Sequence, residues 1–146
     1  MNILDTLFGE KNKDVWTVSP EDSVFDAIKL MSDKAVGALP VVLNEKLVGM
    51  ISERDYARKV ILESRSSKET QVKDIMTARV FHIIPNQKVD ECMAIMTEHH
   101  IRYLPVIEGE KLIGIISVGD VVKYIISDQK FKIEQLEHTI SWSESY

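Results

Sequence analysis

From residue 15 onward, apolar and polar positions fall into short periodic segments separated by turn-forming residues. Val15-Trp16-Thr17-Val18 is rich in β-branched and aromatic side chains and is closed by Ser19-Pro20, which predicts a short strand. After Asp22-Ser23, Val24, Ala27, Ile28 and Met31 fall at i, i+3, i+4 and i+7, the stripe of an amphipathic helix. Two strands are predicted next, at 39–43 and 47–52, joined across Asn44-Glu45; asparagine tolerates the positive φ that a tight hairpin needs. A second helix is predicted from about Glu53, carrying Tyr56, Ala57, Val60 and Ile61. The unit reads strand–helix–strand–strand–helix, an α/β pattern.

The pattern then repeats. Residues 15–61 lie on residues 80–126 without a gap, each aligned with the residue 65 positions later. Pro20 matches Pro85, Val24 matches Val89, and Leu39-Pro40-Val41 matches Leu104-Pro105-Val106. Glu45-Lys46-Leu47 matches Glu110-Lys111-Leu112, while Gly49, Ile51, Ser52 and Asp55 match Gly114, Ile116, Ser117 and Asp120. In the copy, Val89, Cys92, Met93 and Met96 form the first helical stripe, Gly109-Glu110 the turn, and Val121, Val122, Ile125 and Ile126 the second stripe. Each copy has about 47 residues, below the size at which lone domains become viable, so the halves are expected to share a core. The organisation is a lead-in at 1–14, repeats at 15–62 and 80–127, a linker at 63–79 and a tail at 128–146. The polar stretch 63–69 predicts an exposed loop, and 72–77 a short helical turn. In the tail, Phe131, Ile133, Leu136 and Ile140 are spaced for one more amphipathic helix, packed on its own domain or forming a dimer contact.

Composition narrows the classes. A chain of 146 residues with 45% hydrophobic content suits one compact soluble domain. No apolar run reaches the roughly 18 residues that span a bilayer. The start, Met1-Asn2-Ile3-Leu4-Asp5-Thr6-Leu7-Phe8, lacks the basic opening of a signal peptide. Cys92 is the single cysteine and falls on a helical apolar face, where it reads as a small buried hydrophobe and excludes an internal disulfide. These features predict a cytoplasmic protein. The net charge of −5 argues against a nucleic-acid or acidic-membrane partner.

The candidate chemistry sits in Gly-x-Ile-Ser-x-x-Asp, which ends a strand and opens a helix in both copies, Gly49 to Asp55 and Gly114 to Asp120. A serine N-cap with an acidic residue three positions on is one reading, a capping box that satisfies free helix N–H groups. Three features favour a ligand site instead. Aspartate is a poorer reciprocal cap than glutamate or glutamine, yet both copies use it. Glycine inside a strand implies close approach to the backbone. Arg54, Arg58 and Lys59 surround the first helix start with positive charge, as a phosphate would require. A carboxylate beside such a start suits ribose hydroxyls.

On these residues the duplicated unit, roughly 16–126 with the Val-x-Asp-Ile-Met-Thr lead-in to its second copy, resembles a tandem pair of CBS domains, a Bateman module. The resemblance implies an α/β fold of two pseudo-symmetric β-α-β-β-α repeats packed through their sheets into a disc with two clefts. It implies adenine-nucleotide ligands (AMP, ADP or ATP, with NAD or S-adenosylmethionine in some members), a sensing role without catalysis, and a flat homodimer. Carried over by residue, Asp55 and Asp120 would hold ribose hydroxyls, and Ser52 and Ser117 would reach ribose or phosphate. Thr17, Val18 and Pro20, with Ala38, Leu39 and Pro40, would form the first adenine slot, beside Arg54 and Arg58. His82, Ile83 and Pro85, with Tyr103, Leu104 and Pro105, would form the second, with Arg102 on the phosphate. The copies differ at Arg54/Gly119, Arg58/Lys123 and Gly37/Arg102, so two unequal sites are expected.

Rival classes fit less well. Neither Gly-x-x-x-x-Gly-Lys-Ser/Thr nor Gly-x-Gly-x-x-Gly is present, and no catalytic triad follows from spacing. His99-His100 beside Glu98 invites a metal, but adjacent helical residues do not face one another, so no metal is expected. A ligand-free dimerisation scaffold, with Ser and Asp as mere caps, is the alternative. The regions outside the repeats are too short for an effector domain, so the expected output goes to a separate protein.

Overall fold

The computed structural model describes the backbone of residues 15–144 and side chains as far as residue 138, so the lead-in at 1–14 and the Ile140 side chain lie outside it. The described chain forms two compact units, one of residues 15–84 with 105–115 and one of residues 85–104 with 116–144. The architecture is α/β, with a two-stranded sheet in each repeat.

In the first unit, α1 (Val24–Lys34) buries Val24, Ala27 and Met31, as the spacing predicts, and Ser23 caps it by accepting the Asp26 N–H at 3.1 Å. The hairpin β1 (Ala38–Leu43) and β2 (Lys46–Ser52) is antiparallel, with Leu39 opposite Ile51 and Val41 opposite Gly49. Its turn residues Asn44 and Glu45 have φ of 51° and 67°, both left-handed, which matches the twist of the strands. Ala38, Leu39, Pro40 and Val41 are all buried, so β1 is covered on both faces.

The predicted strand at 15–18 shrinks to one rung. Val18 pairs parallel to Val41, its N–H donating to the Pro40 carbonyl at 3.1 Å and its carbonyl accepting the Val42 N–H at 2.9 Å. The chain then turns, because the Ser19 N–H is taken by the Asp22 carboxylate at 2.8 Å. On the opposite edge, Met50 and Thr77 exchange two backbone hydrogen bonds of 2.9 Å. The linker docks between: Val24 N–H donates to Thr70 O and Val72 N–H to Asp22 O, each at 2.8 Å, and α3 (Val72–Ile75) buries Val72 and Ile75. The predicted helix after Ser52 is α2 (Glu53–Tyr56), which widens into a π-helical turn at Ala57–Ile61. Only Val60 of this turn is buried and Ile61 is exposed, against the predicted face.

In the second repeat, α4 (Val89–His99) buries Val89, Cys92 and Met96. The hairpin of β3 (Tyr103–Glu108) and β4 (Lys111–Ser117) turns through Gly109, φ 65°. The expected separate tail helix is instead continuous with the second helix of the repeat, giving α5 (Val118–Glu144), 27 residues long. Val121 anchors it in the core, but Val122, Ile125, Ile126, Phe131, Ile133 and Leu136 are exposed. Among the described residues, none of the tail's side chains from 131 to 138 is buried.

Burial pushes the Cys92 thiol up to about 11, and the negative charge of Glu91 adds to the effect. An unfolded chain loses that proton near 9, so between these values the folded state holds the extra proton and stability falls as pH rises. A thiol reagent at pH 8 is expected to label Cys92 only after denaturant is added; rapid labelling of the native protein contradicts its burial.

Both first helices of the repeats end on a residue in the left-handed region that is not glycine, Ala35 at φ 55° and His100 at φ 54°. That conformation costs a residue with a Cβ about 1–2 kcal/mol. Ala35→Gly and His100→Gly are each expected to raise stability by up to about 1 kcal/mol in urea titrations, despite the entropy glycine adds to the unfolded chain.

Candidate functional site

In the first repeat, three segments meet at the junction of β2 and α2. Ala38 stands opposite Ser52 in the hairpin, which puts the start of β1 beside the corner. The Glu53 N–H donates to the Gly37 carbonyl at 3.1 Å, tying the helix start to the loop before β1. The Val18 bonds to β1 bring Thr17 alongside. Thr17, Arg54 and Arg58 are exposed and Ser52 and Asp55 half-buried, so these five have surface to offer a ligand. Val18, Pro20, Ala38, Leu39 and Pro40 are buried. Their part in any adenine slot is to shape it, and the Val18 N–H and carbonyl are already spent on β1.

The corner itself is a capping box. The Ser52 N–H donates to Asp55 Oδ2 at 2.9 Å, the Ser52 hydroxyl donates to the same oxygen at 3.0 Å, and the Asp55 N–H donates to Ser52 Oγ at 3.2 Å. The copy repeats it: Ser117 N–H to Asp120 Oδ2 at 3.0 Å, and Asp120 N–H to Ser117 Oγ at 3.0 Å. Aspartate thus serves as an adequate reciprocal cap, and its use in both copies does not by itself argue for a ligand. In both corners the cap engages Oδ2. Asp55 Oδ1 lies 3.3 Å from Lys59 Nζ, which also donates to the Ile75 carbonyl at 2.9 Å. Lys59 is therefore a closer charge partner of Asp55 than either arginine. Its spacing, four residues after the aspartate on a helix, is the signal that marks it.

Gly49 has a different explanation from the one its sequence suggests. A Cβ there would lie 2.7 Å from Met76 Sδ and 2.9 Å from the Thr77 carbonyl oxygen. What approaches the backbone is the chain's own linker, paired to Met50.

The second repeat keeps the same local bonds. The Val118 N–H donates to the Arg102 carbonyl at 2.9 Å, and separately the Ile83 N–H donates to the Pro105 carbonyl at 2.9 Å. His82 and Arg102 are exposed, Pro85, Tyr103, Ser117 and Asp120 half-buried, and Ile83, Leu104 and Pro105 buried. His99 ends α4 and His100 occupies its left-handed cap, both exposed. Among the described residues no group of three or more His, Cys, Asp or Glu is placed to hold a metal ion. No helix there is long and apolar enough to cross a membrane.

The CBS domain family matches this chain twice, over residues 11–62 and 72–127. The chain belongs to the CBS-domain family. A mitochondrial CBS domain-containing protein of Arabidopsis thaliana is 42% identical over 121 residues, 80% of this chain and 59% of the plant protein, so the chain spans less than two thirds of that relative. Among solved structures, a protein with CBS domains from Burkholderia ambifaria is 51% identical with a TM-score of 0.84, covering 88% of this chain and 96% of that one. A CBS domain pair solved in complex with 5′-methylthioadenosine and S-adenosyl-L-methionine shares the fold at 24% identity and TM-score 0.77, covering 88% of this chain and 98% of that one.

Gly49→Ala is expected to cost about 1–3 kcal/mol in denaturant unfolding, because the new methyl overpacks against Met76 and a fixed carbonyl. An unchanged midpoint shows that the linker at 76–77 does not sit on β2.

Proposed function

We propose that this CBS pair is a regulatory sensor of adenine nucleotides, AMP, ADP, ATP or NAD, which passes its state to a separate effector protein and does not catalyse a reaction. CBS pairs are in general regulatory modules that take adenosine-containing ligands. The observation that carries the reading is the twinned corner, in which the reciprocal cap engages one oxygen of each aspartate and holds the carboxylate half-exposed beside a helix start, where a ribose hydroxyl can donate to it. In the first repeat Arg54 and Arg58 stand exposed beside it for phosphate, and Arg102 takes that role in the second. The unequal cations give the two sites different ligand preferences. The protein works as a homodimer in the reducing cytoplasm, where the lone buried thiol of Cys92 needs no partner.

A second reading is favoured by the same hydrogen bonds. Both Ser–Asp pairs satisfy each other without a ligand, as they would in a scaffold whose corners are only caps.

Melting curves separate the two. A nucleotide at about 100 times its dissociation constant adds about 2.7 kcal/mol of stability, whereas a scaffold shows no shift with AMP, ADP, ATP or NAD, alone or in pairs. Asp55→Asn and Asp120→Asn retain an oxygen for the cap N–H but lose the charge. Each is expected to weaken one site by about 1–3 kcal/mol while the fold persists. Unchanged calorimetric affinity in both variants removes the corners from the binding site.

A further inference from the structure

We propose that Lys59 couples the first corner to the linker: a ligand whose ribose is taken by Asp55 displaces Lys59, and the Ile75 carbonyl at the end of α3 loses the donor that holds it. This deepens the sensor reading and rests on it, since it names the part of the chain that responds when the first corner fills.

The Lys59 ammonium bridges two acceptors. It lies 3.3 Å from Asp55 Oδ1 and donates to the Ile75 carbonyl at 2.9 Å. Asp55 Oδ2 already accepts from the Ser52 N–H and from the Ser52 hydroxyl. A carboxylate has about four acceptor positions, so the room for a ribose diol lies mainly on Oδ1, where Lys59 stands. Diol and ammonium therefore compete for one oxygen. The Asp55 side chain is 15% exposed and that of Lys59 43%, so the lysine is the partner with water to return to. An ammonium is strongly hydrated and rides on a flexible stem, and without its charge partner a single neutral carbonyl holds it weakly.

The other end of the bridge bears on the backbone. Ile75 closes α3, and the last carbonyls of a helix lack a partner within it. The next two residues depend on where that carbonyl is held. Met76 fills the space over Gly49, and Thr77 exchanges two backbone hydrogen bonds with Met50. Releasing Ile75 thus loosens the segment that closes the edge of β2. A ligand shifts an equilibrium only by favouring one of its states, and here the preference arises because Asp55 Oδ1 cannot serve diol and lysine together. Lys59 also lies in the π-helical turn at Ala57–Ile61, a winding that recurs at functional sites. The aligned residue in the second repeat is Tyr124, so the coupling belongs to the first corner.

Amide exchange at Met76 and Thr77 reads the linker in the full chain, because these N–H groups bond the Val72 and Met50 carbonyls at 2.9 Å. The Val42 N–H, bonded to Val18 on the opposite edge, is the control for global opening. Calorimetry on the same samples reads binding of AMP and of ATP, in an Asp120→Asn background that keeps the first corner. Saturating nucleotide is expected to speed exchange at Met76 and Thr77 at least fivefold and to leave Val42 unchanged. Lys59→Met is expected to show the fast rate without nucleotide, and no further change when nucleotide binds. Asp55→Asn, which keeps the cap and loses the charge, is expected to raise the rate without nucleotide as well. Measured binding with unchanged exchange at Met76 and Thr77 overturns the coupling and leaves the sensor reading standing. Lys59→Met with the exchange of the parent chain overturns it without reference to any ligand, as does equal acceleration at Val42. No heat with either nucleotide overturns the sensor reading at this corner and the coupling with it.

Discussion

A two-stranded hairpin exposes a row of unpaired N–H and C=O groups along each outer edge, and the first repeat is organised around closing both. Val18 closes the edge of β1 and Thr77 that of β2, each as a single residue making two backbone bonds. The rest follows from these contacts. The Val18 rung holds Thr17 along β1, the strand whose first residue stands opposite Ser52. Thr77 can reach Met50 only if position 49 carries no side chain, because Met76 and the Thr77 carbonyl fill that space. The linker is held in turn by Thr70 and Val72 against the start of α1. One constraint on the backbone therefore places a glycine and fixes the path of the linker along the first repeat.

The Ser–Asp corners show why a structural and a functional reading of the same residues need not compete. A carboxylate has two oxygens and about four acceptor positions, whereas the reciprocal cap uses one oxygen. In Asp55 and Asp120 that oxygen is Oδ2. The cap holds the carboxylate in one orientation, and an acceptor already oriented loses less entropy when a hydroxyl arrives. For Asp55, Lys59 occupies the neighbourhood of the second oxygen and secures the end of α3 as well. The aligned position in the second repeat is Tyr124, so Lys59 is particular to the first corner.

Much of this was legible before any coordinates. Period and duplication gave α1, α4 and both hairpins, because their apolar faces pack where the spacing says. Asn44 and Gly109 announced their turns through the same tolerance for positive φ. Cys92 is buried because the helix period puts it there. The misreadings share a cause: a local signal was answered by a distant part of the chain. Gly49 signalled close approach, but Met76 and Thr77 do the approaching. Residues 15–18 have strand propensity, yet only Val18 finds a ladder partner. The winding of Ala57–Ile61 left no trace in the apolar pattern, and Ile61 and its counterpart Ile126 are both exposed, with and without that winding. Ala35 and His100 hold left-handed caps where a glycine would have been the sign. The repeat names the candidate residues, but the burial of Val18, Ala38 and Leu39, which limits what they can touch, left no sign in it.

The two repeats diverge in what lies downstream of their corners. After Asp55 the helix widens and stops at Ile61. After Asp120 it runs on without interruption to Glu144. Twenty-seven residues make a rod about 40 Å long, rooted at the second Ser–Asp pair. A tilt of about 5° at that root displaces the far tip by about 3.5 Å, more than the width of a hydrogen bond. Any tilt at the second corner is thus magnified along α5, whereas the helix after the first corner is too short to magnify one.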